Sequence, residues 1–109
     1  MFKNNGFKKV VKNIIAAQCK DKEFNISSVD VSRQEIVFYI FDLEWYCLAT
    51  IKAYFIENEI SISASTDTSS LVGIANKPYS ERCKYLEFNR ANELITEVFN
   101  KIVEDEINA

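Results

Sequence analysis

The stretch EIVFYIFDLEWYCLATIKAYFIENEISISAS, residues 35–65, decides the fold. Residues 36–41 are apolar, β-branched or aromatic, a strong strand signal. Residues 44–56 read as a second strand carrying Trp45, Tyr46, Ile51, Tyr54 and Phe55. Ile60, Ile62 and Ala64 alternate with Ser61, Ser63 and Ser65, the pattern of a strand with one buried face. With Asp42-Leu43 as the hairpin loop, Ile40 faces Trp45, Phe38 faces Cys47 and Ile36 faces Ala49. A tight turn at Glu57-Asn58 then sets Phe55 opposite Ile60, Ala53 opposite Ile62 and Ile51 opposite Ala64. Both hairpins put their apolar sets on one face, and a one-residue slip would scatter them.

Working outward, Phe24 and Ile26 alternate, then Val29 and Val31 alternate in the opposite phase. The slip at Ser27-Ser28 reads as a bulge. A turn at Arg33-Gln34 sets Val31 opposite Ile36 and Val29 opposite Phe38. Phe7, Val10, Val11, Ile14 and Ile15 form a helical stripe, so a helix is predicted near 6–18. A longer stripe, Ala91, Leu94, Ile95, Val98, Phe99, Ile102 and Val103, predicts a helix near 90–106 with Asn89 as its cap. Residues 66–80 are the least readable: 66–70 are turn-like and 71–75 fit either a helix or a strand. Residues 82–88 read as a strand through Tyr85, Leu86 and Phe88. The sum is one α+β domain over residues 1–109. It is a mostly antiparallel β-sheet of four to five strands, with the N- and C-terminal helices packed on one face.

The chain contains no histidine. That removes the commonest general acid–base group, the Ser-His and Cys-His nucleophile pairs, and most zinc hydrolase sites. Gly6 and Gly73 stand alone, so no glycine-rich phosphate loop is present. Cys19, Cys47 and Cys83 are odd in number and widely spaced, unlike zinc ligand pairs, and are read as free thiols of a reducing, cytoplasmic compartment. The carboxylates beside the two hairpin turns, Asp42 with Glu44 and Glu57 with Glu59, read as solvated groups. No catalytic, cofactor or metal role is assigned to any residue. The longest strongly apolar run, 36–41, is far short of the ~20 residues that span a bilayer, so no membrane partner is expected.

The formal charge of −3 is uneven: residues 1–22 carry a net +5 and residues 23–109 a net −8. The first-helix lysines are expected to neutralise the acidic last helix or to be solvated. Their contact with phosphates, and hence a nucleic-acid-binding regulator, is the less favoured alternative. The sheet face turned away from the helices is the odder surface. It carries Val37, Tyr39, Phe41, Tyr46, Leu48, Lys52 and Tyr54, with Tyr39 and Tyr46 as cross-strand neighbours. Bare sheet faces are usually Thr, Lys and Glu. Tyrosine-rich surfaces bind proteins, because rigid rings give contact area at little entropic cost. Tyr39, Phe41, Tyr46, Lys52 and Tyr54 are the candidate partner-binding residues. The expected function is non-enzymatic protein binding, as a small cytosolic inhibitor or immunity-type protein that blocks a partner. A homodimer, including a homodimeric secretion or folding chaperone, is a further alternative.

Overall fold

The computed structural model describes residues 4–56, 59–66, 70–74 and 86–108. The elements run α1 (Asn4–Lys22), β1 (Asn25–Ser32), β2 (Glu35–Phe41), β3 (Cys47–Ile56), β4 (Glu59–Thr66), β5 (Ser70–Ile74) and α2 (Leu86–Asn108). The five strands form one antiparallel sheet in chain order. The architecture is α+β.

One apolar face of the sheet organises the rest. Ile36, Phe38 and Ile40 of β2, Ile51, Ala53 and Phe55 of β3, and Ile60, Ile62 and Ala64 of β4 are buried in a single cluster. Val11, Ile15 and Cys19 of α1 and Ala91, Leu94, Ile95, Val98, Phe99 and Ile102 of α2 complete it. α1 lies against β1, β2 and β3, and α2 against β4 and β5. The helices meet where Gln18 Nε2 donates to Thr96 Oγ1 at 3.3 Å and the Phe24 ring stacks on Phe99 at 6.3 Å. The β3–β4 register is the expected one, Phe55 with Ile60, Ala53 with Ile62 and Ile51 with Ala64.

Three registers or elements differ from the sequence reading. First, β2 and β3 pair four residues further along: Phe38 faces Ile51, not Cys47, and Ile36 faces Ala53, not Ala49. An even shift keeps residues 49–55 of β3 on their faces, so the core set survives. The shift arises because 42–46 form a longer loop, with an irregularity between Ile40 and Phe41 that inserts Leu48. Leu48 therefore packs against the helix-side core rather than lying on the outer face. Tyr46 precedes β3, and Tyr39 pairs with Thr50, so the two tyrosines are not cross-strand neighbours.

Second, β1 is displaced by one residue, which turns it over. Val29 pairs with Val37 and Asp30 with Ile36, and the bulge sits between Asp30 and Ser32 instead of at Ser27-Ser28. Val29 and Val31 are half exposed on the outer face, while Ile26 pairs with Ile40 and packs on the core. The two apolar pairs of this segment are out of phase, so only one can face inward. The register that wins also brings Asp30 to Lys8 of α1, whose ammonium donates to the Asp30 carboxylate and to the Ser32 carbonyl. Lys8 thus serves β1, not the acidic last helix.

Third, 70–74 are a strand, and α2 begins at Leu86, so 86–88 are helical and Asn89 lies inside the first turn. The rest of the expected 82–88 strand, and Cys83, fall outside the described residues.

α1 ends in a Schellman arrangement. The Phe24 amide donates to the Cys19 carbonyl at 2.8 Å, and Glu23 takes the left-handed conformation with φ 60°. Glycine usually fills that position because a Cβ there is crowded. Glu23→Gly is expected to raise stability by about 0.5–1 kcal/mol. The readout is a higher urea midpoint at unchanged slope.

Candidate functional site

The outer face of the sheet is built by period-two alternation from the same strands that supply the core. One row across it runs Ser27, Tyr39, Thr50, Ser65; the next runs Val29, Val37, Lys52, Ser63; a third runs Glu35, Tyr54, Ser61. Tyr39, Phe41 and Tyr54 are half-buried there, and Lys52 is exposed. Val37 is buried on this face, outside the cluster that the helices cover. β5 extends the sheet edgewise, pairing with β4, rather than folding across this face.

Among the described residues, the most exposed large apolar groups sit at one end of the sheet, in the loop between β2 and β3. Leu43 is 65% exposed, Trp45 61% and Tyr46 68%. Their loop is held rigidly by Asp42. Its carboxylate accepts from the Glu44 amide at 2.9 Å and the Tyr46 amide at 3.0 Å. Its own amide donates to the Tyr46 carbonyl at 3.0 Å, and its carbonyl accepts from the Trp45 amide at 3.1 Å. Asn25 Nδ2 of β1 donates to that same carbonyl at 3.2 Å. A short acidic side chain capturing amides two and four residues on is a standard turn former.

Trp45 has φ 67°, a left-handed conformation that a bulky residue adopts only under constraint. Its ring stands 5.4 Å from that of Phe41, tilted by 51°. The indole is therefore propped against a strand residue while its remaining surface meets water. Strain of this kind, of order 1–3 kcal/mol, concentrates at functional positions.

Of the five expected site residues, the structure brings Phe41 and Tyr46 to this loop and leaves Tyr39, Lys52 and Tyr54 along the sheet face. Sequence reasoning missed Leu43 and Trp45, the latter having been expected opposite Ile40 on the core face. The signal that marks them is Asp42, the one Asp, Asn, Ser or Thr among residues 41–47 and so able to close a turn there through its side chain.

A shallow groove of about 380 Å³ between the helices is lined by Asn13, Ile14, Ala17, Gln18, Asp21 and Asn92. It gathers amides and one carboxylate, with no nucleophile and base in reach of each other. Among the described residues no cluster of three or more His, Cys, Asp or Glu could hold a metal, and no helix is long and apolar enough to cross a membrane. Cys19 is buried and Cys47 exposed, and both are free thiols. Burial pushes the Cys19 thiol up from 9.0 to about 11, with nearby Lys22 pulling slightly the other way. No protein-family model matches the chain, no curated protein matches its sequence, and no solved structure matches its fold.

Two outcomes are expected. Asp42→Ala removes the acceptor of two amides and should cost about 1 kcal/mol of stability, with Asp42→Asn milder, measured by chemical unfolding. Cys47 should react with a thiol reagent at once in the native protein, and Cys19 only on unfolding. Because the Cys19 thiol ionises more readily when unfolded, its contribution is complete below pH 9.0 and is lost as pH rises toward 11. Cys19→Ala should flatten that alkaline decline.

Proposed function

We propose that this chain is a non-enzymatic protein-binding domain whose primary contact is the 42–46 loop, backed by the outer sheet face. The observation that carries the reading is the exposure of Leu43, Trp45 and Tyr46 on a backbone fixed by Asp42. Exposed apolar groups usually cost solubility when clustered. Here they are pre-organised, so a partner need not order them on binding, and Trp and Tyr are the residues that most often dominate interface energetics. Phe41 buttresses the indole, and Tyr39, Lys52 and Tyr54 offer further contact area beyond it.

The role we assign is that of a small cytoplasmic inhibitor or immunity-type protein that occludes its partner. The net charge of −3 and the exposed free thiol of Cys47 support it. The nucleic-acid alternative loses ground because Lys8, one of the lysines it relies on, is engaged by Asp30 and Ser32.

The test compares wild type with Trp45→Asn and Tyr46→Ala in affinity capture from the native host, followed by affinity measurement on the captured protein. Asparagine tolerates the left-handed backbone, so Trp45→Asn should fold as well as wild type. Each variant should weaken the complex by about thirtyfold or more at unchanged melting temperature. Equal affinity for all three chains would place the binding surface elsewhere.

A further inference from the structure

A second surface, distinct from the loop, lies along β1. β1 is an edge strand eight residues long, and residues 27–32 of it are exposed. Edge strands present alternate amides and carbonyls to solvent, and proteins guard them with lysine, proline, inward charges or bulges. Residues 25–32 contain no lysine, arginine or proline. The bulge guards only the end beyond Asp30. The remaining guard is Asp30, the single charge of the strand, which lies on the helix side opposite Ile36. Lys8 neutralises it by an ion pair and at the same time holds the Ser32 carbonyl. The strand therefore meets an incoming strand with no net charge.

The side-chain sequence then selects what pairs with it. For two copies sharing one continuous sheet, the twofold axis stands perpendicular to the sheet, and facing residues must lie on the same side of it. Centring on Asp30 would oppose two carboxylates. Centring on Ser28 would set Ile26 against Asp30. Centring on Val29 sets Val29 against itself and Ser28 against Asp30, a hydroxyl donor facing a carboxylate acceptor. Val29 already pairs with Val37. The row across the junction then reads Val37, Val29, Val29, Val37, and the half-exposed Val29 of each copy is covered by the other.

We propose that β1 pairs antiparallel with β1 of a second copy about an axis at Val29, joining two five-stranded sheets into one of ten strands. A strand pair alone buries less than the about 1,000 Å² of a stable interface, so the dimer forms with rising concentration rather than permanently. It leaves the 42–46 loop of each copy open, and both functions coexist.

Sedimentation velocity across a concentration series tests this on the full chain. Wild type should shift from monomer to dimer. Val29→Lys, which sets two ammonium groups face to face at an exposed position, should weaken association by about a hundredfold or more at unchanged melting temperature. Trp45→Asn should associate as wild type does, which separates this surface from the loop. Cross-linking reads the register: in a Cys47→Ser, Cys83→Ser background, Val29→Cys should form the interchain disulfide on mild oxidation far more readily than Ser28→Cys. A wild-type chain monomeric throughout, a dimer indifferent to Val29→Lys, or preferential cross-linking through Ser28→Cys would each overturn the proposal. The first would leave this edge to the strand of a different protein.

Discussion

The pairing of Phe38 with Ile51, facing each other across β2 and the central strand β3 and both wholly out of solvent, is the constraint on which the other parts depend. Neither side chain can be buried by the sheet alone. Their burial requires a cover, and the two helices at opposite ends of the chain supply it. Truncating a buried phenylalanine typically costs 3–5 kcal/mol, a large part of the 5–15 kcal/mol that holds a small domain together. The side this pair occupies sets the parity of the paired residues of β2, β3 and β4, including the side on which Tyr39, Lys52 and Tyr54 emerge.

Parity was legible in the residues because β4 alternates Ile60, Ile62 and Ala64 with serines, and its pairing carries that parity through β3 to β2, whose run 36–41 is apolar on both faces. What could not be read is position along the strand. An even displacement leaves all faces intact, so apolar patterning does not resist a shift of four residues between β2 and β3. The shift was decided by Asp42, whose carboxylate binds amides and turns Glu44 through Tyr46 into loop. Aromatic residues favour strands, and Trp45 was read accordingly, against a backbone that places it at φ 67°. β1 failed for another reason. Its inward and outward apolar pairs compete, and the choice rested on partners from distant sequence, Ile40 and Lys8, that no local pattern contains. β5, five residues with a glycine inside, and the three residues that open α2 are too short for periodicity to speak.

The candidate site inherits this division. Tyr39, Phe41, Lys52 and Tyr54 were found through parity, and Leu43 and Trp45 were missed because they depend on turn chemistry. Rigid strands place the first group to within the precision of the ladder. Asp42 gives the loop a comparable precision by other means, and the Asn25 amide ties that loop to the neighbouring strand. The arrangement joins an exposed aromatic prow to the outer face of the sheet, the surface on which the proposed binding rests.

Because sheet order equals chain order, each strand meets its neighbour as soon as it follows it, and the pairings close short loops cheaply. α2 alone arrives from a distance, yet it brings Leu94, Ile95, Val98, Phe99 and Ile102 to the core. During synthesis the sheet is thus complete on its hydrogen bonds while the part of its greasy side that α2 covers is still bare. At the ~5–20 residues per second of translation, that interval lasts on the order of seconds. A ribosome-bound chain in that interval carries an open apolar surface, which makes α2, rather than any strand, the step that closes the core.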